Sequence, residues 1–381
     1  MITMQFKNTY YAVCTLTAML LIWQPATAQI KTLAGKNISM AEMDDFLKKE
    51  MDSLHIPGLS IAIINKGKIV YNRALGTGNV ALKTVLDTAS IFEAASISKP
   101  VFAYFVMKQV DKGLLALDTP LYRYMPYADI SKDERYKLIT ARMVLSHQTG
   151  FPNWRYFEKA DSTLNIKYGE LYLKFTPGTG FAYSGEGYFY LAKVLAYLNG
   201  KTIQTLDSVF QSQVAEPLKL KPFYFSGNTY VKMHKISGHK NGKAFEKKWP
   251  VSFPEQDSSW FGAAGGLHTN ATTYARFLVA FMKNKGISQE SMREMLTPQI
   301  YLPKDHQSYK EDKDFAWGLG IALKETPFGT LYEHGGNNGD FQSGFLMDKK
   351  SNWAFVFFTN CDKGKELNKK LQSLLLQSKK Q

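Results

Sequence analysis

The spacing of apolar residues along this chain changes period twice, from strand-like to helical and back. Met43, Phe46, Leu47, Met51 and Leu54 recur at helical spacing behind Ser39-x-x-Glu42, a capping box, so a helix is predicted to open there and stop before Pro57. The run LSIAIINKGKIVYNRALG then reads as a hairpin turning at Asn65-Lys66-Gly67-Lys68. Its first strand is apolar on both faces, which calls for a sheet covered by helices on both sides. From Ser96 to Lys285 the spacing is mainly helical, with long loops. Helices are expected from Ser96 to Asp111, from Thr140 through Leu145, from Gly187 to Leu198 and from Thr272 to Met282. Residues 223–256 interrupt this pattern with many lysines and a hairpin turn at Asn241-Gly242, and are expected to form a rim or lid. Past residue 315 strands return as WGLGIAL, TLYEHGG, SGFLMD and NWAFVFFTN. The tail carries Leu367, Leu371, Leu374 and Leu375 at helical spacing with lysines opposite, a helix that closes over the sheet. Strands from both ends of the chain around a helical middle define an α+β class.

The first residues read differently. Lys7, the apolar run from Tyr10 to Trp23 and Ala26-Thr27-Ala28 have the charge, length and small-x-small site of a secretory signal peptide over residues 1–28. The run is too short to span a bilayer comfortably, so no stable membrane span is expected after cleavage. Of the two cysteines, Cys14 falls in this segment, and Cys361 alone forms no internal disulfide. The expectation is an exported protein, periplasmic or secreted, held by its core alone. Lys and Arg number 47 against 33 Asp and Glu, a formal net charge of +14. A basic exported protein suits anionic surroundings such as cell wall or an outer-membrane surface. The basic residues are scattered and form no recognition module, which argues against nucleic acid as a partner.

The candidate chemistry starts at Ser96-Ile97-Ser98-Lys99. A serine and a lysine three apart share one face of a helix, so a hydroxyl can lie beside an amine, the minimum kit for a nucleophile with its own base. Pro100 places both residues in the first helical turn, where free N–H groups favour a developing oxyanion. Read alone, the window fits equally an N-cap serine and a solvated lysine. The same spacing recurs at Ser237-Gly238-His239-Lys240, in a stretch that cannot be a helix interior. Lys99 starts protonated near its reference pKa of about 10.4, so burial must favour its neutral form, or a nearby tyrosine must lose its proton more easily beside the ammonium. Tyr183, in a Gly-rich loop before a helix, is the candidate tyrosine. His334-Gly335-Gly336 follows a short apolar strand. Glycines there let a substrate backbone approach, Asn337 can supply a second oxyanion N–H opposite that of Ser96, and a protonated His334 can hold a substrate carboxylate. There is no Gly-x-Ser-x-Gly elbow, no His-Glu-x-x-His and no Cys/His cluster, so no metal and no organic cofactor is expected. His147 is expected to be a structural residue at a helix end.

Taken in order, these segments resemble the serine β-lactamase-like and penicillin-binding-protein superfamily, in the branch with class C β-lactamases, D-alanyl-D-alanine carboxypeptidases, D-aminopeptidases and esterases. The resemblance runs from about Met40 to Asn360. It rests on IPGLSIAIINKGKIV, SISK, GLLALDTPLYRYMP, ARMVLSHQTGFP, FTPGTGFAYSGEGYFYLAKVL, AAGGLHTNATTYARFL and EHGGNNGDFQSGF. It implies one domain over 36–376: a mixed lobe of about 36–95 and 300–376, with an antiparallel sheet flanked by helices, and an all-helical lobe of about 96–299. It implies that Ser96 is acylated, that Lys99 and Tyr183 move its proton, that the Ser96 and Asn337 amides form the oxyanion hole, and that His334, Gly335 and Gly336 line the substrate. One departure stands out. Many relatives have Tyr-x-Asn, whose asparagine contacts the lysine and the substrate amide, and Gly185 stands in that position here. The implied activity is acyl transfer through Ser96 on a small-molecule or peptide substrate, amide, peptide or ester, cell-wall-derived compounds among them. A carboxylesterase of the same fold and a non-catalytic wall- or ligand-binding member are the alternatives.

Overall fold

The computed structural model describes residues 29–158, 166–245 and 259–377. The expected signal peptide and residues 246–256 of the interrupting segment lie outside them. The chain enters through α1 (Met40–Leu54), whose capping box is present: Ser39 Oγ accepts from the Glu42 N–H and the Ser39 N–H donates to Glu42. Among the described residues one nine-stranded antiparallel sheet dominates. Its strands are β1 (Gly58–Asn65), β2 (Lys68–Asn79), β3 (Thr84–Val85), β4 (Ile300–Tyr301), β5 (Asp314–Trp317), β6 (Ala322–Thr326), β7 (Gly329–Asn337), β8 (Gln342–Asp348) and β9 (Trp353–Thr359). In space they run β4-β5-β6-β7-β8-β9-β1-β2-β3, so the C-terminal strands join the N-terminal hairpin through the β9–β1 pairing.

Period-two alternation in β1 and β9 fixes both faces of this sheet. Leu59, Ile61, Ile63, Phe355 and Phe357 point to one side. There they join a buried cluster with Met43 and Leu47 of α1 and with Leu367, Leu371 and Leu375 of α6 (Gly364–Leu375). Ala62, Ile64, Val356 and Phe358 point to the other side, into the main core. That core holds α2 (Ser98–Asp111), α3 (Ala141–Leu145), α4 (Gly185–Leu198) and α5 (Ala271–Met282). Residues 98–107 of α2 are all buried, the signature of a helix enclosed on every side rather than laid on a surface. No helix among the described residues is long and apolar enough to cross a membrane.

Three boundaries differ from the sequence expectation. WGLGIAL is not one strand. β5 ends at Trp317, which pairs with Ala322 at the start of β6, and the chain reverses between them. Gly320 has φ +78° there, its N–H donates to Leu145 O, and a Cβ on it would meet the Ala103 Cβ of α2 at 2.5 Å. The corner is set by this contact with α2, which no local period encodes. Helix α4 starts at Gly185 rather than Gly187, because Ser184 is its N-cap and accepts from the Gly187 N–H. Ser96 lies in a 3-10 turn over Ala95–Ile97 that precedes α2, not in the α-helix itself. The second serine–lysine spacing falls on a short strand, Gly238–Lys240, paired with Lys243–Phe245 around Asn241-Gly242.

Candidate active site

The Ser96 turn is fixed from three directions. Ala95 has φ +48°, a left-handed conformation that costs a non-glycine residue about 1–2 kcal/mol and persists only where its surroundings over-determine it. Ser98 Oγ donates to Ala95 O at 2.6 Å and accepts from the Leu267 N–H at 3.0 Å. Ser343 Oγ of β8 donates to Ala94 O at 2.6 Å, and Tyr274 of α5 donates to Ile97 O at 2.8 Å. Strand β7 then presses on the turn. A Cβ on Gly336 would lie 2.3 Å from Ser343 Oγ and 2.6 Å from Ala94 O, so only glycine lets the strand come this close. Gly335 is different, because a Cβ there would meet nothing within 4 Å.

Lys99 is 2% exposed. Its Nζ donates to Ala264 O at 2.7 Å, stands 3.3 Å from Ser96 Oγ and lies 4.6 Å from the centre of the Tyr183 ring. Tyr183 lines the same cleft as Ser96, so the hydroxyl, the amine and the phenol converge although 86 residues of chain lie between Ser96 and Tyr183. Burial pushes the Tyr183 phenol above its usual range, and the nearby Ser96 hydroxyl only partly offsets this. The expectation that this tyrosine loses its proton more easily is therefore corrected: burial outweighs its polar neighbours, and the phenol is protonated at neutral pH.

Two histidines flank the phenol. His147, at φ +60° just past α3, accepts the Ser184 N–H on Nδ1, and its ring centre lies 4.2 Å from that of Tyr183. It is fully buried, and burial followed by the Lys99 charge holds it well below its usual pKa. It thus fixes both the backbone and the ring of the Tyr183 segment. His334 is 4% exposed, and burial first, then the Lys99 charge, push it down to about 3. Its Nδ1 lies 2.7 Å from Gly335 O, and a carbonyl can only accept, so Nδ1 carries the proton and Nε2 is a lone-pair acceptor. Nε2 is buried without a partner among the described residues. A protonated His334 holding a carboxylate, as expected from the sequence, does not fit this burial; the ring is neutral and its acceptor nitrogen is itself buried. Trp317 of β5 stands between the two, 5.2 Å from His147 and 5.5 Å from His334, centre to centre.

These groups open on a cleft of about 680 Å³ whose lining includes Ser96, Asn153, Tyr183, Trp317, His334 and Asn337. Asn337 ends β7, and its Oδ1 accepts from the Gly339 N–H at 2.8 Å. Asn338 donates to Glu93 at 2.6 Å, and Glu93 pairs with Lys235, which ties the end of β7 to the segment that enters the Ser96 turn. At the start of α4, Trp154 packs as a wall against Gly185. A Cβ on Gly185 would lie 2.4 Å from Trp154 Cζ2, so the indole occupies the space where a longer residue would start. Arg155 anchors this wall through a bidentate pair with Glu186, which is fully buried. Asn153, Trp154, Trp317 and the part played by His147 are not evident from the sequence reading. Asn153 and Trp154 have a faint signal in FPNW after the helix end. Among the described residues no group of three or more His, Cys, Asp or Glu side chains is placed to hold a metal ion.

Fold and cleft together define a serine-hydrolase type of architecture, with a Ser-x-x-Lys turn between an antiparallel sheet and a helical region. The chain belongs to the β-lactamase family, whose model matches residues 43–378. It is similar to Protein flp of Staphylococcus aureus strain MW2, with 23% identity over 337 residues, 85% of this chain and 64% of that protein. The chain therefore spans a little under two thirds of the length of that relative. It is also similar to the esterase EstB of Burkholderia gladioli, 27% identical over 201 residues, 48% of this chain and 50% of the esterase. Among solved structures, the D-alanine carboxypeptidase AmpC from Burkholderia cenocepacia superposes with a TM-score of 0.69 at 17% identity, over 88% of this chain and 99% of that one. At that identity the likeness shows the fold alone.

Two outcomes follow from this geometry. Gly336→Ala should push β7 away from the Ser96 turn and slow covalent labelling of Ser96 about 100-fold, whereas Gly335→Ala should label at close to the native rate. Equal losses in both variants would contradict the close-approach argument. The second concerns acid. His334 is held below its unfolded pKa of about 6.5, so the unfolded chain takes up a proton that the native site refuses. Its stabilising contribution is complete above pH 6.5 and is lost as the pH falls toward 3. Melting temperatures between pH 7.5 and 4 should therefore fall less steeply in His334→Gln than in the native protein. Parallel curves would contradict the buried, neutral state.

Proposed function

We propose that this protein is an exported serine hydrolase that works by acyl transfer through Ser96. The single observation that carries the reading is the 3.3 Å approach of Lys99 Nζ to Ser96 Oγ, with the centre of the Tyr183 ring 4.6 Å from the same amine. Ser96 Oγ attacks a substrate carbonyl carbon as its proton passes to Lys99 Nζ, which must be in its neutral amine form at that moment because the protonated phenol has no site to receive it. The Ser96 and Asn337 amides face the developing oxyanion. The protonated phenol is suited to give a proton to the leaving group. Water then attacks the acyl-enzyme, its proton enters the Lys99–Tyr183 pair, and the acid product and free Ser96 result. Export is supported by the charge, length and cleavage-site pattern of residues 1–28.

Ester or small amide substrates fit this cleft best. Gly185 has no side chain to meet a peptide amide, and His334 is uncharged and offers nothing to a carboxylate. The similarity to the esterase EstB points the same way. A peptidase reading draws on the likeness to the carboxypeptidase AmpC, which is a likeness of fold.

Initial rates on a nitrophenyl ester, a chromogenic cephalosporin and a D-Ala-D-Ala peptide decide among these readings. The ester should be turned over fastest, and Ser96→Ala should reduce its hydrolysis at least about 1000-fold. Stoichiometric acylation with no turnover of any of the three would support a binding protein that retains the fold. Undiminished hydrolysis by Ser96→Ala would refute the assignment.

A further inference from the structure

Two aromatic rings in the lining of the cleft, Phe181 and His306, take no part in the acyl transfer described above. Both are partly exposed. Their centres are 5.3 Å apart and their planes stand at 89°, so together they form a right-angled corner. Phe181 is fixed from behind. Its ring packs on His147 at 5.8 Å and on Trp317 at 5.6 Å, centre to centre, and the N–H of the next residue, Ala182, donates to His147 O at 2.8 Å. His306 is the N-cap of a short helix, Gln307–Asp312. Its Nδ1 accepts the Ser308 N–H at 3.2 Å, and its own N–H donates to Pro303 O at 2.9 Å. Glu311 of that helix pairs with Lys365 of α6. Both rings are therefore held in place before any ligand arrives.

A flat ring placed in such a corner stacks offset on one wall and meets the other edge-on, the two arrangements that aromatic pairs favour. A saturated ring of similar size buries a similar area but has no π face to offer. Tyr183 decides which part of the substrate arrives there. Its phenol is suited to protonate the leaving group, and its ring packs on the same two neighbours as Phe181, on His147 at 4.2 Å and on Trp317 at 5.9 Å. A group that departs past the phenol therefore comes to Phe181, while the acyl part stays on Ser96. We propose that Phe181 and His306 form a leaving-group subsite for an aryl ring, so that the preferred substrates release an arylalkyl alcohol or amine. This rests on Ser96 being the nucleophile. In acylation of an ester the bond from Ser96 Oγ to the carbonyl carbon forms and the bond to the leaving oxygen breaks. That oxygen takes the Tyr183 proton, so the alcohol departs neutral.

The test compares benzyl acetate with cyclohexylmethyl acetate in the native protein, Phe181→Leu and His306→Asn. Both esters form the same acetyl-enzyme, so their kcat/KM values differ only through the leaving group. Each value is divided by the ester's rate of alkaline hydrolysis, which removes the difference in intrinsic reactivity. Phe181→Leu keeps apolar bulk, and an asparagine at 306 still caps the short helix, so each change removes a ring and little else. The native protein should favour the benzyl ester about tenfold, and each variant should lower that ratio about threefold. Benzyl alcohol should also inhibit the native protein more strongly than cyclohexylmethanol, a comparison that needs no substitution. A native ratio near unity, equal inhibition by the two alcohols, or an unchanged ratio in either variant overturns the corner and leaves the Ser96 reading standing on the turnover of the esters. No turnover of either ester overturns the corner as well, and if Ser96 then also fails to take a fluorophosphonate, the Ser96 reading falls with it.

Discussion

The close approach of β7 to the Ser96 turn is the constraint on which the rest of the site depends. Gly336 brings the strand against Ala94 and Ala95, and Ser343 from the neighbouring strand hydrogen-bonds the Ala94 carbonyl. That contact joins the edge of the sheet to the start of α2. It keeps Ser96 and Asn337 in the lining of one cleft and holds Lys99 in the core, where its Nζ donates to Ala264 O. The left-handed Ala95 is the cost of this arrangement, and the hydrogen bonds of Ser98, Ser343 and Tyr274 hold it there. A turn so restrained presents its hydroxyl without having to reorganise when a substrate binds.

Burial does the remaining electrostatic work, and it acts on every titratable neighbour in the same sense, toward the neutral form. His147 and His334 are both held well below their usual values and Tyr183 above its own. The groups packed around the Lys99 amine are thus held neutral. Trp317 packs against both histidines. In such surroundings a single well-aimed donor or acceptor has a large effect on which substrate is accepted.

Much of this was legible in the sequence, for physical reasons that can be named. The capping box at Ser39, the hairpin turns at Lys66-Gly67 and Asn241-Gly242, and the leucine stripe of α6 are local signals, and local signals need no partner to be read. The serine–lysine pair was readable because three residues of helix define a shared face. Tyr183 and the His334-Gly335-Gly336 strand stood out by their glycine-rich settings, and the ordered resemblance then implied their roles. What could not be read depends on contacts between distant segments. Gly320 breaks WGLGIAL because α2 lies beneath it, and Trp154 meets Gly185 only because the chain returns there after 30 residues. His147 looked like a helix-end residue, and it is one, but its ring also supports Tyr183. The neutral state of His334 follows from depth, which sequence does not carry.

The central claim is that Ser96, Lys99 and Tyr183 act as one unit. The most direct test is the second-order rate of Ser96 modification by a fluorophosphonate in the native protein, Lys99→Ala, Tyr183→Phe and the double variant. Each single change should slow the reaction by a factor on the order of 100 or more, and the double variant should be little slower than the worse single one, because parts of one unit are not additive. Labelling of either single variant at the native rate, or losses that simply multiply in the double variant, would contradict the account.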